Sequence, residues 1–228
     1  VRWLEWLLLF GGVPLVLRWR VPPDLWPYLL AALALPGLLA ACRRGGGNWK
    51  RRPRPAERVQ LRVLLRRFGI CALGLLTAVA LLAPERLFDM PRQQTALWLL
   101  LLATYPLFSA YPQELIYRYL FRRRYRRLFR RRGGWIAASA AAFAWLHIVF
   151  GNWLAVVLTL IAGAFFAQTY LAGRSLRLAV VEHTLYGALV FSVGIGEFFY
   201  HERVQPAARV SLLQPCQARK RAAPSRPI

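Results

Sequence analysis

Apolar residues in this chain fall in long, acid-poor blocks separated by short clusters of arginine. The blocks are Trp3–Leu17, Leu25–Cys42, Phe68–Ala83, Ala96–Tyr111, Trp135–Phe150, Trp153–Leu171 and Leu178–Tyr200. Several are a little shorter than the roughly 20 residues that cross a bilayer upright, but flanking side chains can snorkel to the interface. The pattern predicts an all-α, polytopic membrane helix bundle of about six to seven transmembrane helices. Trp3–Leu17 is followed directly by Arg18 and Arg20, with no small-residue cleavage site. It is therefore read as a retained, short or tilted membrane helix and not as a signal peptide. No internal repeat stands out.

Composition agrees with that segregation. The 228 residues are 57% hydrophobic and 14% aromatic, yet carry 32 Lys and Arg against nine acids, for a net charge of +23. A soluble domain this apolar would not carry so many charges, and a nucleic-acid binder this basic would not be so apolar. Arginines beside membrane helices set topology and touch anionic lipid, so no nucleic-acid partner is expected. Cys42, Cys71 and Cys216 are odd in number and lack metal-like spacing.

The arginine clusters orient the chain. The connection Arg43–Arg67 holds ten Lys and Arg against Glu57 alone, and Arg122–Arg132 holds eight Arg and no acid. The connection Pro84–Thr95 is balanced, Glu85 and Asp89 against Arg86 and Arg92. The positive-inside rule puts both basic connections in the cytoplasm. Three regions follow: residues 1–95, N-terminal membrane helices with a basic cytoplasmic loop; 96–200, a helical core; and 201–228, a basic tail read as unstructured.

Ionisable residues inside apolar helices each cost roughly 2.5–3.5 kcal/mol on insertion scales, so each is a functional candidate. They are Glu114, Arg118, His147, Glu182, His183 and Glu197. Glu114 and Arg118 are i,i+4 and share a helix face, two residues after Pro112, which can open or kink the helix. They can form an internal ion pair or part of a site. His147 ends a block rich in small residues, Ala137 to Ala142, that allows close helix approach. Two histidines, a glutamate and an arginine on three helices can hold and polarise a water inside the membrane, as base, hydrogen-bond partners or metal ligands. No H-E-x-x-H, no G-x-S-x-G and no aspartate within an apolar block is present. A transporter is disfavoured, because no acidic pair faces a channel.

Three motifs in order complete the picture: Gln113-Glu114-Leu-Ile-Tyr-Arg118, Phe143-Ala-Trp-Leu-His147 and His183-Thr-Leu-Tyr-Gly187. They resemble the E-E-x-x-x-R, F-x-x-x-H and H-x-x-x-N motifs of the CAAX protease and bacteriocin-processing family of intramembrane proteases (CPBP, or ABI), over about Ala96–Tyr200. The resemblance implies a helical membrane bundle around a water-filled cavity. It also implies an endopeptidase that cuts a peptide bond of a membrane-associated protein or peptide with a Glu/His-activated water. The implied set is Glu114, His147 and His183, with Gln113 and Arg118 orienting the site. The family has been described both as glutamic proteases and as metalloproteases, so a divalent metal such as zinc on His147 and His183 stays open. Two positions depart from the pattern: Gln113 stands where the catalytic glutamate belongs, and Gly187 where the asparagine belongs. Glu114 is then the one carboxylate left in the motif, and Tyr186 or Asn152 is the expected replacement donor. The alternative is a non-catalytic membrane scaffold or bacteriocin-immunity-type protein on the same fold. The expected location is multi-pass in a bacterial inner membrane.

Overall fold

The computed structural model describes residues 1–22, 25, 29, 32 and 54–199. The block Leu25–Cys42 lies almost wholly outside the described residues, as do the first part of the basic connection (43–53), Cys216 and the tail 201–228.

The first element, α1 (residues 2–20), is one helix with a wide π-type turn, Leu7–Gly12, at its centre. It runs the height of the bundle. Glu5 accepts hydrogen bonds from Arg124 Nε (2.8 Å) and Tyr125 Oη (2.9 Å) at one end. Arg18 packs against Gly151 at the other. Five further helices are long and apolar enough to cross a membrane: α2 (Pro55–Leu82), α3 (Thr95–Tyr125), α4 (Arg132–Phe150), α5 (Trp153–Gly173) and α6 (Leu176–Val193). The helix α1 is not among the five, because Arg2, Glu5, Arg18 and Arg20 leave three charges in any 18 consecutive residues of it. Among the described residues every regular element is helical, so the protein is an all-α polytopic membrane bundle.

Local chemistry sets the helix limits. α2 begins with Pro55, whose missing N–H costs nothing at a first turn. The Glu57 carboxylate accepts the Arg54 backbone N–H at 2.8 Å. The basic connection expected to reach Arg67 therefore stops at Arg54, and Arg58, Arg62, Arg66 and Arg67 ride on the helix. α3 carries Pro106 and Pro112 in its interior without breaking. Each proline removes an N–H, and two wide π-type turns, Pro106–Ala110 and Leu115–Leu120, take up the altered bonding around them. On a regular helix Gln113 and Glu114 would point about 100° apart. Here both are buried, at 6% and 0% exposure.

α4 and α5 approach closely through small residues. A Cβ on Gly163 would lie 3.0 Å from the Phe143 ring and 3.3 Å from the Ala140 backbone. α6 ends at Val193, short of the expected Tyr200. Gly194 takes φ +98°, and a Cβ there would sit 1.9 Å from the Arg86 carbonyl oxygen, so this crossing admits only glycine. A short 3-10 turn, Gly196–Phe199, follows, and its Glu197 pairs with Arg86.

The five spans alternate in direction. The starts of α2, α4 and α6 and the ends of α3 and α5 share one arginine-rich end, where Arg54 Nη2 donates to the Arg174 carbonyl at 2.9 Å. At the opposite end Asn152 Nδ2 donates to the Phe198 carbonyl at 2.8 Å. An aromatic core of Tyr117, Phe121, Tyr125, Trp135, Phe143 and Phe166, joined by Trp6 and Phe10 of α1, fills the basic half of the bundle.

Candidate active site

The site is built where α3, α4 and α6 meet. Glu114 of α3 is fully buried, and both its oxygens are engaged. Oε2 accepts from Arg118 Nε at 2.9 Å, one turn along the same helix. Oε1 lies 3.0 Å from His183 Nδ1 of α6. A carboxylate can only accept, so Nδ1 carries the proton, and in the corresponding neutral tautomer Nε2 keeps its lone pair. His147, at the point where α4 tightens into a 3-10 turn, has the same polarity. Its Nδ1 is 2.8 Å from the Phe143 carbonyl oxygen, which again leaves Nε2 as the free acceptor.

Aromatic rings fix both imidazoles. The Phe143 ring touches both, 4.7 Å from His147 and 5.4 Å from His183, centroid to centroid. Phe166 of α5 stacks on His183 at 4.8 Å and 18°. Arg118 is as buried as Glu114. Its Nη1 donates to Ser139 Oγ at 2.5 Å, and its guanidinium lies 5.3 Å from the Phe143 ring centroid and 5.9 Å from that of Phe166. Breaking one partner of such a buried pair costs about 3–5 kcal/mol, because the remaining charge is left without compensation.

Two polar atoms here have no partner among the described residues: Gln113 Oε1 and Arg118 Nη2. Orphaned buried polar groups are uncommon and call for an explanation such as a water or a ligand. Gln113 Nε2 donates to Ser109 Oγ at 2.8 Å, and the Tyr105 hydroxyl lies beside the same serine.

Gly187 has a neighbour that explains it. A Cβ at this position would fall 2.2 Å from Cε1 of Tyr105 and 2.6 Å from its hydroxyl oxygen. The Tyr105 ring thus occupies the space a longer side chain at 187 would need, and it packs edge-on to His183 with ring centroids 5.8 Å apart. Tyr105 carried no signal in the sequence beyond being an aromatic in an apolar block. The two donors expected from the sequence sit elsewhere. Asn152 caps α5, its Oδ1 accepting from Ala155 N at 2.8 Å. Tyr186 faces α2, edge-on to Phe68 at 5.4 Å.

Glu182, next to His183, faces the other way. It pairs with Arg67 of α2, which also donates to Thr169 Oγ1 at 2.9 Å and to the Phe165 carbonyl at 3.2 Å. Gln60 Nε2 reaches the same threonine at 3.2 Å. This second polar cluster ties α2 to α5 and α6.

A zinc ion needs at least three protein ligands. Among the described residues no group of three His, Cys, Asp or Glu is arranged to hold one. Both Glu114 oxygens are taken, which leaves two imidazole nitrogens. The described residues do not fit a resident zinc.

Residues 94–189 match the family model described as Type II CAAX prenyl endopeptidase Rce1-like. This segment, which holds Glu114, Arg118, His147 and His183, is similar to that family. No curated protein and no solved structure matches the chain.

Proposed function

We propose that the protein is an intramembrane endopeptidase that hydrolyses a peptide bond of a membrane-associated protein or peptide, using one water held by His147 and His183, with Glu114 behind His183. The observation that carries this reading is the 3.0 Å contact from Glu114 Oε1 to His183 Nδ1, between side chains 69 residues apart. A carboxylate behind an imidazole holds the ring in one tautomer and stabilises the imidazolium that forms when the ring takes a proton. His183 Nε2 accepts the proton as the water oxygen adds to the substrate carbonyl. The oxyanion that forms needs donors, and the unpartnered Arg118 Nη2–H and the hydroxyl of Tyr105, whose ring packs on His183, are the candidates. The imidazolium then returns its proton to the leaving amine as the C–N bond breaks. His147 Nε2 holds the water from the α4 side.

Charge balance supports the scheme. Glu114 and Arg118 compensate each other at rest. The new imidazolium and the new oxyanion also appear as a pair, so no net charge builds up in the low-dielectric interior.

A non-catalytic scaffold is the second reading, favoured by the glutamine at 113. The two separate when the full chain is reconstituted in liposomes with a library of membrane-anchored, C-terminally prenylated peptides and new termini are read by mass spectrometry. The enzyme reading expects cleavage by the natural chain and none by His183→Ala at an unchanged melting temperature. Cleavage that first appears in Gln113→Glu identifies the natural chain as a scaffold.

A further inference from the structure

The arginine-rich end of the bundle is concave. A cavity of about 810 Å³ opens there, where the α3–α4 and α5–α6 turns meet. Arg122, Arg126, Arg127, Arg130, Arg132 and Arg174 line it, with no acid among the lining residues. Its floor is the buried Trp135, stacked on Tyr170 at 6.0 Å and 27°, with the Arg122 guanidinium 5.7 Å over the indole.

Charge pairing across the molecule singles these arginines out. Each acid among the described residues that forms an ion pair does so with another arginine: Glu5 with Arg124, Glu57 with Arg177, Glu85 and Glu197 with Arg86, Glu114 with Arg118, and Glu182 with Arg67. The six guanidiniums around the cavity have no acidic partner among the described residues. Like charges gathered around one concavity repel one another, and an anion from outside relieves that repulsion. Arg174 adds a backbone observation. It takes φ +48° at the end of α5, a left-handed conformation that glycine adopts more readily. An arginine kept at such a position delivers its side chain to the cavity at a conformational cost.

From this geometry we infer that the cavity binds an anionic lipid headgroup bearing more than one phosphate. Guanidinium forks match phosphate oxygens bidentately, and six of them exceed what one phosphate can use. The lipid source follows from depth. The cavity sits at the ends of the spans α3, α4 and α5, at headgroup level, over an aromatic pair of the type that marks the membrane interface. Basic pockets between membrane helices on the cytoplasmic side suit such headgroups, and the positive-inside rule puts this end in the cytoplasm. The site is separate from the Glu114–His183 cluster and does not depend on the proposed hydrolysis.

The test is native mass spectrometry of the full chain in neutral detergent, titrated with cardiolipin, with phosphatidylcholine, and with inorganic pyrophosphate as competitor. The expected result is cardiolipin retained in preference to phosphatidylcholine and not displaced by equimolar pyrophosphate. Arg126→Ala/Arg130→Ala should weaken retention about tenfold or more, as loss of charge-assisted hydrogen bonds does. Arg123→Ala/Arg131→Ala, two arginines of the same stretch outside the cavity, should change it by less than about twofold. Arg174→Gly should weaken retention with a melting temperature that is unchanged or higher, an outcome that a purely structural arginine does not produce. Equal losses in the two double variants would overturn the site in favour of diffuse surface charge. Displacement by equimolar pyrophosphate would overturn the lipid in favour of a soluble phosphate ligand.

Discussion

Two buried ion pairs flank His183, made of the same residue types and arranged for different work. Glu114 and Arg118 lie one turn apart on a single helix, and neither side chain has any exposure. Arg67 and Glu182 are 115 residues apart on α2 and α6, and Arg67 keeps 16% of its side chain exposed. In the first pair the carboxylate spends its second oxygen on an imidazole whose far nitrogen stays free. In the second, the arginine also donates to Thr169, Gln168 and the Phe165 carbonyl, and Glu182 Oε2 has no partner among the described residues. The first pair therefore couples charge to a proton acceptor, and the second fastens one helix to two others. Burial of an ion pair is not by itself a mark of catalysis; the third partner decides.

That distinction breaks first on stability. Arg67→Met leaves Glu182 charged and uncompensated, and should cost about 3 kcal/mol or more in unfolding free energy. Arg67→Met/Glu182→Leu should recover most of the loss, since apolar replacement of a whole buried pair is often neutral. Thermal unfolding of both variants in the same detergent measures the difference. Cleavage per folded molecule should stay close to that of the natural chain; a collapse in turnover at an unchanged melting temperature would move this pair into the catalytic machinery.

A smaller effect is expected where α3 meets α6. Gly187→Ala puts a methyl 2.2 Å from the Tyr105 ring, and overpacking of this kind costs about 1–3 kcal/mol. Gly187→Ala/Tyr105→Ala should restore much of the melting temperature lost in the single variant. If Gly187→Ala is as stable as the natural chain, Tyr105 does not fill that space.

The mildest change is Ser139→Ala, which removes the acceptor of the 2.5 Å Arg118 Nη1 hydrogen bond. About 0.5–1.5 kcal/mol of stability should be lost, since Nη1 keeps the Tyr117 and Ser139 carbonyls, with a modest fall in cleavage, because Glu114 still holds the guanidinium. A loss of cleavage as complete as that of His183→Ala would show that Ser139, and not Glu114, sets the position of Arg118.

The same comparison explains what could be read in the chain. Glu114 and Arg118 were legible because their partnership is local: i,i+4 on one helix, in a block where any charge is costly. His147 and His183 were legible for the same cost. Arg67 was not. It stands last in a cluster of ten cations, and nothing in the one-dimensional pattern says which of them turns inward. Thr169 looks like an ordinary residue of an apolar block until α2 is packed against α5. Tyr105 acquires meaning only from Gly187, 82 residues away, once α3 and α6 are side by side. The helical class and the order of the spans follow from the apolar blocks. The run of α3 through Pro112 and the stop of α6 at Gly194 depend on backbone detail, wide turns and a positive φ, that hydropathy does not encode.

The central claim is that Glu114 acts through His183. It is tested most directly by a double-mutant cycle on cleavage rate, with Glu114→Gln, His183→Ala and the double variant, each normalised to folded protein. Removing a general base lowers the rate about 10²–10⁴-fold, and residues that act as a unit are strongly non-additive. The account predicts that the double variant is no slower than His183→Ala alone. A double variant slower by the product of the two single losses would contradict it and make Glu114 an independent participant.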